Sequence, residues 1–410
     1  MKAPQARRLL QLRRYISLGL VVFILLYVAL CILLPLPALK SNVSDITLKL
    51  KVPAANLPWP SFGEAAVGMV GLGVTQTYGL QTPLPTASVA KLITALAVLT
   101  KYPLAPGQQG PLITIDSTDY GYYSSYIAEQ GSVVPVYVGE QLSEYQMLQA
   151  MLVPSGNNIA DSLARWAYGS IANYISFANS FVQHLGMANT TVGGDASGFL
   201  PQTTSTASNL IILGNKVMAS PLLSRIVSSK TVDIPNVGTL KNYDNILGVN
   251  GIVGIKTGNS NQDGGVFLSA SETTINDRMI TLLTAVMGAP TLNRALNDSI
   301  PLVIAVQNSI TKSVLLSKNV VLGEYKQPWG GTVQFASKTN LSLLTLLGQT
   351  INAKLSVKQL NVPSASGALA GSINIPADQF NRAQTLPVIT LQQTSKPTIA
   401  WRLMHPGSIF

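Results

Sequence analysis

With 410 residues, of which 47% are hydrophobic and only 11% charged, the chain has material for two or three domains and large cores, which excludes intrinsic disorder. The formal charge of +10 gathers at the start: Lys2, Arg7, Arg8, Arg13, Arg14 and Lys40 all precede the first acid, Asp45, and the remaining residues carry 21 bases against 17 acids. That near-balance excludes a basic stripe for nucleic acid.

In chain order, the first element is an uncharged, mostly apolar run at 16–34. At about 1.5 Å rise per residue it just crosses a hydrocarbon core of roughly 30 Å. Four arginines precede it, so residues 1–15 read as a cytoplasmic tail, 16–34 as a single-pass membrane anchor, and everything after Pro35 as extracytoplasmic. The competing reading is a cleaved signal peptide. Such a segment has a shorter apolar core and a small-x-small exit, whereas this exit reads LLPLPALKS. Cys31, the only cysteine, lies in this run, so the outer part holds no disulfide. With His184 and His405 the only histidines, no zinc cluster can be assembled and no cofactor is expected.

Residues 35–60 carry five prolines and read as a tether. EAAVGMVGLGVTQTYG predicts two short strands, and a helix follows over 88–100. The Tyr-, Ser- and Val-rich stretch 120–138 reads as loops and strands. LSEYQMLQAMLV, NNIADSLARWAYG, IANYISFANSFVQHLG and SNLIILGNKVMAS have helical periodicity. Strands are expected at 251–256, 265–270 and 279–287, and a helix at 292–309. This order predicts an α/β domain at 61–311: a sheet flanked by helices that joins the two ends of the segment, with a helical insert between. From 312 to 410, short alternating segments such as GTVQFAS and LPVITLQQ, separated by Gly, Pro and Asn, predict a small all-β domain.

Three short stretches carry chemistry. In TASVAKLITALAVL, Ser88 and Lys91 stand three apart on one helix face, near an N-terminus that favours developing negative charge. A serine becomes a nucleophile when a base takes its proton, and a lysine is such a base when burial and a nearby cation depress its pKa. Taken alone, the pair also reads as a helix cap and an exposed lysine. In MLVPSGNNIADSLA, Ser155-Gly156-Asn157 projects a hydroxyl and an amide from one turn between helices, and alone reads as a turn with a cap. In GVNGIVGIKTGNSNQDGG, Lys256-Thr257-Gly258 ends an apolar strand. A lysine and a threonine there can grip a carboxylate, and Gly258 lets a peptide backbone approach. The alternative is an edge-strand lysine set against aggregation. His184, in FVQHLGM, reads as a helix-end residue.

S-x-x-K, S-x-N and K-T-G in this order are the signature of the penicillin-recognising serine enzymes. Together with GMANTTVGGDASGF and the text around each motif, residues 60–300 closely resemble the D-alanyl-D-alanine carboxypeptidases among the low-molecular-mass penicillin-binding proteins. The resemblance implies a β-lactamase/transpeptidase-like fold with an antiparallel sheet and a β-rich tail. It implies Ser88 as the acylated nucleophile, Lys91 as general base, Ser155 as proton relay and Asn157 as a contact to the substrate amide. Lys256 and Thr257 would bind the terminal carboxylate. Gly258 would border it, and Asn259 would share the oxyanion hole with Ser88. Its partners would be the peptidoglycan stem peptide and, as covalent inhibitors, β-lactams. Asn259 departs from the histidine common after K-T-G, and Asn158 from a commonly acidic neighbour. Rival readings are a β-lactamase, a transpeptidase, or a non-catalytic wall-binding or β-lactam-sensing protein. No Glu stands between Asn157 and Lys256 to deacylate as in class A β-lactamases, and no motif residue is missing as in a dead scaffold.

Overall fold

The computed structural model describes residues 3–260 and 264–408. Lys2 of the basic flank, and residues 261–263 in the segment after K-T-G, lie outside it. The chain divides into two units, one of residues 52–311 with 345–349, the other of 1–51, 312–344 and 350–410.

The first unit is built on a five-stranded antiparallel sheet. Its order is Ile252–Ser260, Gly264–Ile275, Arg278–Ala289, Glu64–Met69 and Gly73–Tyr78. The early hairpin thus closes onto the late strands, as the order of elements predicts. The central strands read as continuous apolar runs because helices cover the sheet: all six residues of Glu64–Met69 are buried, as are Leu282, Leu283, Ala285, Val286 and Met287. The helices Ala207–Met218 and Leu292–Asn308 pack on these strands. The strand Ile252–Ser260, which carries K-T-G, is left at the sheet edge.

Between the two halves of the sheet stands the helical insert. Its core is the helix Lys91–Lys101, packed against Glu144–Leu152, Asn157–Tyr168 and Ile171–His184. The stretch read as loops and strands opens instead as a helix, Ser117–Ala128. The reason is a capping box. Asp116 accepts from the amides of Thr118 (2.8 Å) and Asp119 (3.1 Å), and Asp119 accepts from the amide of Asp116 (3.1 Å). Arg165 then bonds both carboxylates at 2.8 Å. Only Asp119 and Tyr126 of this helix are buried, so its sequence carries little periodicity.

The second unit holds a six-stranded antiparallel sheet, with Tyr325, Val333, Phe335, Leu355, Ile373 and Val388 in its core. Thr350–Val357 alternates exposed and buried residues, as a one-sided sheet requires. Residues 46–51, inside the stretch read as a tether, form its edge strand and pair with Thr350–Val357. The same unit includes the apolar helix Ala3–Leu33, of which 10–33 is long and apolar enough to cross a membrane. Its last carbonyls have no helical partner. Arg402, on the short helix Ile399–Met404, donates to those of Cys31, Ile32 and Leu34 at 2.8–3.0 Å.

One carboxyl in the first unit conflicts with its surroundings. Glu144 opens the helix Glu144–Leu152 and is fully buried, with neither oxygen hydrogen-bonded among the described residues. A helix start favours its charge, but lost hydration prevails and raises the carboxyl from 4.5 to about 7. The native chain therefore holds a proton through that window that the unfolded chain has released. Stability falls as pH rises from 4.5 to about 7. Glu144→Gln is expected to melt several degrees above wild type at pH 8 and level with it at pH 5. A difference independent of pH in thermal unfolding would contradict this.

Candidate active site

Ser88 lies on a single 3-10 turn, Ala87–Ala90, that runs directly into the helix Lys91–Lys101. The turn is under backbone strain, since Ala87 has φ +43°. Two glycines hold it from outside. A Cβ on Gly258 would come within 2.7 Å of the Thr86 carbonyl and 3.4 Å of the Ser88 nitrogen. A Cβ on Gly198 would meet the Ala87 carbonyl at 2.2 Å. The K-T-G strand and the 195–200 loop therefore reach the Ser88 turn only because both positions lack a side chain.

Lys91 is fully buried, and its Nζ has three neighbours: Ser88 Oγ at 2.7 Å, Asn157 Oδ1 at 2.7 Å and the Ser197 carbonyl at 3.1 Å. Among the described residues no carboxylate touches it. Burial pushes its pKa well below the ordinary lysine value, and the charge of Lys256 adds to that; Asp195 and Asp161 oppose it. The three contacts suit a neutral amine, which has two N–H donors and one lone pair. Asn157 Oδ1 and the Ser197 carbonyl can only accept, so they take the donors. Ser88 Oγ, which accepts from the ammonium form, is the one neighbour with a proton of its own and so can turn it to the lone pair once the amine is neutral. This is the arrangement of a base aimed at a hydroxyl.

Ser155 and Asn157 come from the turn between Glu144–Leu152 and Asn157–Tyr168. Ser155 is held at φ +63°, a second strained non-glycine residue at the site. The amide of Asn157 donates to the Ser132 carbonyl at 2.8 Å. Asn158 points away from the cavity and pairs with the Val134 backbone twice, accepting at 3.0 Å and donating at 2.8 Å. An ionised acid could not make the second bond, so its departure from the family pattern has a structural reason.

Lys256 and Thr257 are buried on the edge strand, and Lys256 Nζ donates to the Thr257 carbonyl at 3.1 Å. Burial lowers the Lys256 ammonium to about 7, against the pull of Asp244. Ser88, Ser155, Asn157, Thr257 and Asn259 all line one open cleft of about 730 Å³, walled further by Phe199, Leu200, Tyr243, Leu292 and Glu129. His184 ends the helix Ile171–His184 with its ring against the Ser180 carbonyl, and belongs to no part of the cleft. Among the described residues no three His, Cys, Asp or Glu side chains converge as metal ligands.

Sequence reading missed the loop that finishes the site. Asp195 accepts from the Ser197 amide and hydroxyl at 2.6 Å, from Phe199 N at 3.2 Å and from Leu200 N at 2.7 Å. That folds the loop so that Ser197 offers its carbonyl to Lys91. The only signal was the string GGDASGF, where a short acid followed by small residues marks a tight turn.

Comparison with known proteins agrees with this geometry. The family model described as D-alanyl-D-alanine carboxypeptidase matches residues 77–291, just over half of the chain and all three motifs. The chain belongs to this family, the D-alanyl-D-alanine carboxypeptidases. It is 29% identical over 156 residues to D-alanyl-D-alanine carboxypeptidase DacA of Haemophilus influenzae, covering 37% of this chain and 38% of that protein. It is 28% identical over 214 residues to DacA of Escherichia coli K12, covering 50% of each. The chain thus spans half or less of the length of these curated relatives. The solved structure of penicillin binding protein 5 from Haemophilus influenzae superposes with a TM-score of 0.56 at 19% identity, over 81% of this chain and 97% of that one, and has the same fold.

The electrostatics make one substitution informative. Lys256→Ala removes a cation that depresses Lys91. Lys91 should become more basic, so the acidic limb of acylation moves to higher pH, while kcat/KM for a carboxylate-bearing substrate falls by a factor on the order of 10². A pH series of acylation rates checks both; a rate loss with the limb unmoved would contradict the coupling.

Proposed function

We propose that this protein is a serine-type D-Ala-D-Ala carboxypeptidase that removes the terminal D-alanine from peptidoglycan pentapeptide stems. The observation that carries the reading is Lys91 Nζ, fully buried, without a counter-ion among the described residues, and 2.7 Å from both Ser88 Oγ and Asn157 Oδ1. Lys256 and Thr257 hold the substrate's free carboxylate, and Asn157 receives the amide on the acyl side. Ser88 Oγ attacks the penultimate carbonyl as its proton passes to Lys91. The amides of Ser88 and Asn259 receive the oxyanion. The C–N bond then breaks, Ser155 relays the proton to the leaving amine, and D-alanine departs. Water attacks the Ser88 ester to free a tetrapeptide. A β-lactam presents the same carboxylate beside a cyclic amide, so it acylates Ser88 but keeps its leaving group tethered.

Residues 61–311 are the catalytic domain in this reading. Residues 312–410, with the edge strand 46–51, serve as a stand-off or partner-binding domain. The apolar run 16–34 is an uncleaved anchor in the cell membrane that leaves residues 1–15 in the cytoplasm and the catalytic domain outside. The four-arginine flank supports that orientation. Full-length protein is expected in the membrane fraction; a soluble form starting near residue 39 would refute the anchor.

The activity is tested by D-alanine release from diacetyl-Lys-D-Ala-D-Ala or a peptidoglycan pentapeptide. Wild type is expected to release D-alanine, and a substrate amidated at its C-terminus to be poor. A protein that binds penicillin and releases no D-alanine would overturn the carboxypeptidase reading in favour of a transpeptidase or a β-lactam sensor.

A further inference from the structure

The helix that begins with Asn157 carries a second polar group behind the site. Asp161 lies four residues on, hence on the same face, and is 4% exposed. Its Oδ1 accepts from the Ala196 amide at 2.9 Å, and its Oδ2 from the Tyr126 hydroxyl at 2.7 Å.

Both partners lead into the cleft. The Ala196 carbonyl is held from the other side by Thr94 Oγ1 at 2.6 Å, and Thr94 sits one turn along from Lys91 on the same helix. The next carbonyl, of Ser197, is the third neighbour of Lys91. The Tyr126 ring meets Phe199 edge-on at 5.3 Å between centroids, and Phe199 walls the cleft. One carboxylate therefore braces both the backbone that orients the base and the aromatic wall beside the nucleophile.

We propose that Asp161 is a positioning residue for acylation: through Ala196 and Tyr126 it fixes the Ser197 carbonyl and Phe199, and it places a carboxylate behind the base. The inference rests on the acylation mechanism above and adds a residue outside the three motifs.

The charges around Asp161 define the sign. Tyr122 and Tyr126 face it from the helix Ser117–Ala128, Asp195 from the loop, and Lys91 from its own helix. Arg165, one turn further along the helix of Asp161, is engaged with Asp116 and Asp119. Lys256 bears on Lys91 from the edge strand. Burial and Asp195 raise the Asp161 carboxyl to about 6, so it is ionised at neutral pH. An anion there makes Lys91 more basic, against burial and Lys256, which make it less so. A base is most effective with its pKa near the working pH, and Asp161 limits how far burial and Lys256 depress Lys91.

The test is the pH dependence of acylation by a labelled penicillin in the full-length protein. Asp161→Asn keeps the shape and an acceptor for the Ala196 amide but removes the charge. Lys91 then becomes less basic, and the acidic limb should move to lower pH by about half a unit or more, with the melting temperature near wild type. Tyr126→Phe keeps the ring against Phe199 and removes a donor that favours the ionised carboxylate. It should move the limb the same way by less, and it decides alone if Asp161→Asn does not fold. Rates that fall uniformly with the limb unmoved would show a purely structural residue and overturn the proposal. In protein labelled with ε-13C lysine, the Lys91 resonance, assigned by its loss in Lys91→Met, should titrate at lower pH in Asp161→Asn. That shift is read without any reaction. A wild type that forms no penicilloyl adduct would count against the function, and an unshifted Lys91 titration against Asp161.

Discussion

The molecule depends on keeping an amine out of water with no counter-ion in contact among the described residues. Lys91 is fully buried, and the groups around its nitrogen are a hydroxyl, a side-chain amide oxygen and a backbone carbonyl. Burying an unpaired ammonium is costly enough that the group sheds its proton instead. The penalty that would destabilise an ordinary core thus favours the neutral amine, the form that can accept a proton. Each neighbour comes from a different part of the chain: Ser88 from the turn before the helix, Asn157 from the interhelical turn, Ser197 from the loop organised by Asp195.

That convergence explains features that look costly in isolation. Ala87 and Ser155 adopt positive φ without being glycine, at the two turns that present the hydroxyls. Such strain persists where packing over-determines it, and both turns sit against a dense insert core that includes Leu92, Ile93, Met147, Met151 and Ile159, all essentially unexposed. Gly258 brings the edge strand against the Ser88 turn. An edge strand is otherwise a liability for aggregation. Here the unpaired edge is where a substrate backbone can dock in the proposed reaction.

Much of this was legible in the sequence, for a physical reason. Ser88 and Lys91 are linked by helical spacing, Ser155 and Asn157 by one turn, and Lys256 to Asn259 by a strand, so local geometry keeps each group together. The strand at 64–69 and the strands after 251 were readable because the sheet is covered there and their runs are largely apolar. The helix Ser117–Ala128 was not readable, because an Asp116–Asp119 box and a distant Arg165 specify it while its face buries only two residues. The edge strand 46–51 hid among prolines, since its partner lies some 300 residues away. Asp195 folds only its own loop, whereas Asp161 and Ser197 make contacts between segments that no spacing rule connects.

The central claim is that a neutral, buried Lys91 activates Ser88, and adduct mapping tests it most directly. Wild type and Lys91→Met, in which an apolar side chain of similar length fills the buried space, are incubated with a labelled penicillin and digested for mass spectrometry. The account predicts one acyl group per wild-type chain, on Ser88, and none on the folded Lys91→Met chain over the same time. An adduct on another residue, or equal acylation of the two proteins, would contradict it.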